Sequence, residues 1–286
     1  MADSRRNSGD GYALIAPTLV VVGLTLAAPL ALLLVASLKS QSGMGFEAGW
    51  TLSQYGEVLG RESYRILFLR SVLVAAAVTL VTVSLAYPMA YFVAFHARRK
   101  FLWLILLTIP FWTSYLLRVF AWKIILGYGG VINSGLLGLG LIEQPLSFLL
   151  YNPFSVVVTL AHAWAAFAIL PIYVSLEKID RSLLEAASDL GDSKLRRFLR
   201  ITLPLSMPGV IGAAILIFVP TTGDFVTPEL VGGPAGAMIA NIIEMQFTQV
   251  GNWPLGAALA LVSMTMVAVI AGLFVAAARA ATKAVR

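Results

Sequence analysis

The chain has 286 residues, of which 59% are apolar and 12% charged, with no cysteine and two histidines; its mean hydropathy is +0.88. Soluble domains carry about 25% charged residues, so this balance excludes a soluble enzyme, and the missing cysteines exclude disulfides, thiolate metal centres and thiol nucleophiles. The formal charge of +6 has to be set against membrane topology before it is read as a nucleic-acid footprint.

Six long apolar stretches follow in order: 12–38, 71–95, 101–126, 154–176, 205–222 and 255–278, all without charge except the third, which carries Arg118 and Lys123. A bilayer span needs about 20 apolar residues, which all six supply, the fifth at its limit. The first follows Arg5 and Arg6 but is too long for a signal peptide, whose apolar region runs about 7–15 residues. Pro29, Pro88, Pro110, Pro171, Pro208 and Pro220 interrupt five of the six. Kinks of this kind are tolerated where neighbouring helices or cavity water satisfy the freed carbonyls. The expected fold is all-α and integral to the membrane, with residues 1–286 forming a single transmembrane domain.

Of twenty Lys and Arg, fourteen fall at the termini and in the loops 96–100 and 177–204: Arg5, Arg6, Arg98, Arg99, Lys100, Lys178, Arg181, Lys194, Arg196, Arg197, Arg200, Arg279, Lys283 and Arg286. The positive-inside rule then puts both termini in the cytoplasm. Because the basic residues are spread over every segment of that side, they form no stripe for nucleic acid.

The loop 177–204 is the most polar segment, yet its apolar residues keep helical spacing. Ser182 and Glu185 form a capping-box pattern. Leu183, Ala186, Ala187 and Leu190 share one face, and Gly191 stops the helix, as glycine does in the left-handed conformation. A second helix is expected from Asp192 or Ser193, with Leu195, Phe198 and Leu199 opposite Lys194, Arg197 and Arg200, until Pro204 ends it.

Glu185-Ala186-Ala187, then Gly191, then Ile201-Thr202-Leu203-Pro204 resembles the EAA signature of ABC importer permeases. The resemblance implies a type I permease fold with a coupling helix between spans four and five. Glu185, Ala186, Ala187, Gly191, Leu203 and Pro204 would then engage a cytoplasmic ATPase dimer. It also implies a second, related but distinct permease and an external substrate-binding protein, all at the bacterial inner membrane and surrounded by lipid. The sequence holds no G-x-x-x-x-G-K-[ST] phosphate loop. The expectation is therefore that the chain is not an enzyme and needs no cofactor, with ATP bound by the partner.

The segments 109–126, 219–234 and 252–260 resemble the spermidine/putrescine branch of these permeases. That implies import of a polyamine or a related small amine by alternating access. An opine or aminophosphonate permease is the alternative within the class, and an ATP-independent channel or secondary transporter the alternative outside it. From the residues alone, a rise of 1.5 Å per residue puts Arg118 about 25 Å from Phe101, near the external edge. Its expected partner is Asp224, since an intramembrane charge is functional by default. Asp224 follows Pro220-Thr221-Thr222-Gly223, where a helix break would bare carbonyls to a cation. Trp112, Tyr115 and Trp122 could each add a cation–π contact of about 0.5–2 kcal/mol, and Glu229 lies in the same external loop as Asp224. These six residues form the candidate substrate pathway. His162 and Glu177 lie too far apart along one helix to share a metal, so no metal site is expected.

Overall fold

In the computed structural model the backbone is described for residues 7–42 and 45–284 and side chains for 15–42 and 45–276. Arg5, Arg6 and Arg286, counted above for topology, lie outside the described residues, as do the side chains of Arg279 and Lys283. Packing divides the chain into two units, Met1–Glu62 with Ile243–Val262 and Ser63–Ile242 with Ser263–Arg286.

The first unit opens with α1 (Asn7–Ser37), which contains Pro17 and Pro29 and buries none of its most apolar stretch. Ser37 closes that helix by bonding the Leu34 carbonyl and the Tyr55 hydroxyl, at 2.8 and 2.7 Å. A short hairpin of β1 (Gln41–Ser42) and β2 (Gly45–Phe46) leads to α2 (Ser53–Gly60).

The second unit holds α3 (Glu62–Phe95), α4 (Lys100–Thr108), α5 (Tyr115–Leu126), α6 (Val131–Gly138), α7 (Pro153–Glu177), α8 (Arg181–Asp189), α9 (Lys194–Arg197) and α10 (Leu203–Thr222). Asn152 fixes the start of α7 through a capping box with Ser155, the arrangement that satisfies two orphan donors at once. Its apolar residues Leu160, Ile169, Ile172 and Leu176 form the core with Val78 and Ala90 of α3 and Ile217 of α10. Helices α7 and α10 approach so closely that a Cβ on Gly209 would lie 2.4 Å from the Pro171 carbonyl. Glycine is required there by contact rather than by backbone conformation.

Short helices α11 (Gly233–Gly236) and α12 (Ile239–Met245) follow α10, then π-helical Gln246–Val250 and the long α13 (Trp253–Ala284). Six helical stretches among the described residues are long and apolar enough to cross a membrane, including Tyr115–Gly138 and Lys194–Thr222, while Lys100–Trp112 is a shorter apolar helix.

Three expectations are corrected. The third span is not one helix: α4 passes into a 3-10 turn at Ile109–Trp112, and Thr113 is extended before α5 starts. Pro204 does not end a helix, because the five residues Phe198–Thr202 widen into a π-turn in which the Leu203 N–H reaches the Phe198 carbonyl. That five-residue reach lets the chain run helically from Lys194 to Thr222 despite the donor Pro204 lacks. The segment 223–254, expected as an external loop, is mostly helical, and its Met238 and Ile239 are fully buried.

Candidate coupling helix and substrate path

Asp180, not Ser182, caps α8: its carboxylate accepts the Ser182 N–H at 2.9 Å. The capping box is therefore replaced by a cap two residues earlier, where a carboxylate also faces the positive end of the helix. The Ser182 N–H and hydroxyl hold the Asp180 carboxyl below its ordinary value. At the other end the Gly191 N–H bonds the Ser188 carbonyl at 2.9 Å and the Asp192 N–H bonds Ala187 at 3.0 Å. With Gly191 at φ +85, this is a complete Schellman closure. Ser193 caps α9 through the Arg196 N–H, as its position in the sequence suggests.

Glu185, Ala186 and Gly191 are exposed, whereas Ala187 is buried and Leu203 and Pro204 are half-buried in the first turn of α10. Leu183 and Leu190 are exposed as well, so of the apolar side of α8 only Ala187 is covered by its own chain. The helix is tied from behind. Arg181 donates to the Ala94 carbonyl at 3.3 Å and Arg197 to the Leu184 carbonyl at 3.2 Å. Ala94 belongs to the last turn of α3, where carbonyls lack helical partners and a cation is favoured. At the start of the π-turn, Phe198 packs edge-on against Tyr87 and Tyr91, and the Tyr87 hydroxyl meets Ser206 at 2.8 Å. Sequence reasoning missed Arg181 and Tyr87 as contacts, since neither belongs to a local pattern.

Among the candidate path residues, Asp224 is fully engaged. One carboxylate oxygen accepts the N–H groups of Val226 and Thr227 at 3.0 and 3.2 Å; the other accepts the Thr227 hydroxyl at 2.9 Å and the Tyr115 hydroxyl. Tyr115 also meets the Thr227 hydroxyl. Arg118 does not pair with Asp224. Its guanidinium donates to the Ala163 carbonyl of α7 at 3.2 Å and lies 5.5 Å from the Phe111 ring. Ala163 is ten residues into α7, so the Arg118 guanidinium meets that helix about 15 Å along from its Pro153 end and not at the end itself. A count along one unbroken helix fails because the third span is broken.

Of the four carbonyls expected to be bared before Asp224, two accept a bond from their own chain: Pro220 the Gly223 N–H and Thr221 the Asp224 N–H. Trp122 packs against His162. Trp112 is 86% exposed, and Glu229 is exposed on the π-turn Pro228–Gly232. Glu177 closes α7 with an ion pair to Lys100 at 2.7 Å. The chain beyond Asp224 is anchored by Arg70, which donates to the Pro234 and Ala237 carbonyls at 3.3 Å, and by the Ser71 and Ser155 hydroxyls on Ile239 and Val231.

Spanning helices interrupted between the fourth and fifth by a short exposed helix are the arrangement of an ABC importer permease. A bacterial ABC transporter that imports the acidic polysaccharide alginate has the same fold, with a TM-score of 0.77 at 16% identity over 94% of each chain. The chain belongs to the family of binding-protein-dependent transport system inner membrane components, which it matches over residues 12–283. It is 41% identical over 211 residues to the spermidine/putrescine transport system permease protein PotB of Escherichia coli (strain K12), covering 73% of this chain and 76% of that one. To PotB of Haemophilus influenzae it is 32% identical over 235 residues, 82% of both chains. The inner membrane ABC transporter permease protein YdcU of Escherichia coli (strain K12) is 34% identical over 76% of this chain and 73% of its own.

Proposed function

We propose that the chain is one permease of an ATP-driven importer for spermidine, putrescine or a closely related amine. The observation that carries this reading is its identity with PotB, 41% over 73% of the chain. It works with a second permease, an external substrate-binding protein and a cytoplasmic ATPase dimer, and both of its termini lie in the cytoplasm. In this reading α8 is the coupling helix, with Glu185 and Ala186 exposed toward the ATPase and Gly191 setting the turn behind them.

The chain's part in transport is mechanical. When the ATPase subunits close, α8 moves, and its ties to Ala94 and Leu184 carry the displacement into α3 and α9. Through the π-turn the displacement reaches α10, which packs on α7 and so shifts the helices flanking the substrate path. Trp112, Tyr115, Arg118, Trp122, Asp224 and Glu229 remain the candidate path residues. The exposed Trp112 and Glu229 are free to meet substrate, while Tyr115, Arg118 and Asp224 hold the path's wall together. Uptake of labelled spermidine into proteoliposomes containing the assembled complex and its loaded binding protein tests this. Uptake that requires internal ATP is expected; uptake without ATP would overturn the reading.

A further inference from the structure

The third span parts at the middle of the membrane-crossing helix it packs on. Lys100 pairs with Glu177 at one end of α7, and eleven residues later Phe111 meets Phe167 at 4.5 Å. Since Phe167 is ten residues from Glu177, α4 and its 3-10 extension climb α7 residue for residue. Phe167 also lies fourteen residues from Pro153, so the point of contact is about 15 Å from one end of α7 and about 21 Å from the other. There the helix stops: Thr113 has φ −78 and ψ 151, Ser114 has φ −54 and ψ 136, and the Ser114 side chain makes no capping bond. Thr113 returns its N–H and hydroxyl to the Pro110 carbonyl, the hydroxyl at 2.7 Å. Residues 111–114 are exposed, so their own chain does not cover this irregular backbone. Within a bilayer, irregular backbone survives only inside protein or against water.

We propose that this break lines the water-filled substrate path and that the Trp112 indole receives one ammonium group of the passing substrate. The second half of the proposal rests on the polyamine reading above. Three features suit an ammonium group. The indole face is open, a cation–π surface. The Thr113 and Ser114 hydroxyls lie beside it, with oxygen lone pairs for an ammonium N–H. The neighbouring cation is also committed elsewhere, since Arg118 is fastened to the Ala163 carbonyl and the Phe111 ring and not to the indole.

The chain contains no cysteine, so single cysteines can be labelled without background. In membrane vesicles holding the assembled transporter, Thr113→Cys and Ser114→Cys should react with a charged methanethiosulfonate reagent. Leu80→Cys, on an exposed apolar face of α3 (69%), should not. Spermidine presented by its binding protein should slow the reaction severalfold. Trp112→Ala should raise the KM for spermidine uptake about tenfold without changing the maximal rate, and Trp112→Phe should restore most of it.

Failure of both cysteines to react faster than the Leu80 control, with and without ATP, would refute the placement of the break on the path. Reaction without slowing by substrate, or an unchanged KM in Trp112→Ala, would refute the ammonium contact. Wild-type uptake in the same vesicles separates this from failure of the polyamine reading. Import of only a neutral or anionic solute would overturn that reading and the ammonium contact together, while labelling at 113 and 114 would still decide where the path runs.

Discussion

Replacing Asp224 with alanine discriminates between a substrate ligand and a structural tie. The carboxylate caps the backbone after Gly223 through two N–H groups and joins Tyr115 on α5 to Thr227. Alanine removes an N-cap-like interaction of about 1 kcal/mol. It also strands one hydroxyl, since Tyr115 and Thr227 retain only each other, at about 1–3 kcal/mol. The expected loss is roughly 2–4 kcal/mol, or a drop of about 3–7 °C in the melting temperature of the purified chain. Tyr115→Phe alone should cost about 1–2 kcal/mol. The double mutant should fall short of the sum by about 1 kcal/mol, because the two groups share a bond. Thermal unfolding in detergent, read beside spermidine uptake, decides the matter. Wild-type stability in Asp224→Ala with uptake abolished would refute the structural assignment and return Asp224 to the substrate.

Gly209→Ala should destabilise the α7–α10 contact by about 1–3 kcal/mol through overpacking on Pro171 and Ser175. Gly212→Ala, where nothing lies within 4 Å, should be near neutral; equal melting temperatures for the two variants would contradict that packing. In Gly191→Leu the new Cβ meets no atom, but the residue must hold φ +85, at about 1–2 kcal/mol. The variant should therefore fold and assemble yet lose binding-protein-stimulated ATP hydrolysis, and full stimulation would remove the turn from the coupling argument. The Asp180 carboxyl is depressed in the folded state, so its support of α8 is complete above its unfolded value and is lost as pH falls through the folded one. Amide exchange in the first turn of α8, corrected for intrinsic rates, should accelerate only in that acid range. In Asp180→Ala it should already be fast at neutral pH, and equal protection in the two proteins would remove the cap.

Composition and hydropathy made the membrane class and the spans legible because those signals are sums over about 20 residues. Gly191 was legible because few other residues adopt its conformation cheaply. Ser182 misled because two capping residues stand within one turn, and Asp180 gains the longer helix. Pro204 misled because a lost donor ends a helix only when the preceding turn cannot widen, and at Phe198–Thr202 it does. The break at Thr113–Ser114 had a signal in Pro110 and two consecutive hydroxyl residues, but continuous hydropathy across 101–126 concealed it. The Arg118–Asp224 pair was the natural guess from charge alone. Tertiary contacts instead gave Asp224 to Tyr115 and Thr227 and gave Arg118 to a backbone carbonyl, partners that no spacing rule reaches.

The central claim, a polyamine permease driven by a partner ATPase, is tested most directly by ATP hydrolysis of the purified assembly in nanodiscs. Its substrate-binding protein would be added empty, with spermidine, with putrescine or with an opine. The account predicts that hydrolysis rises severalfold with a polyamine-loaded binding protein. Stimulation by the opine alone, or a chain that never co-purifies with an ATPase, would contradict it.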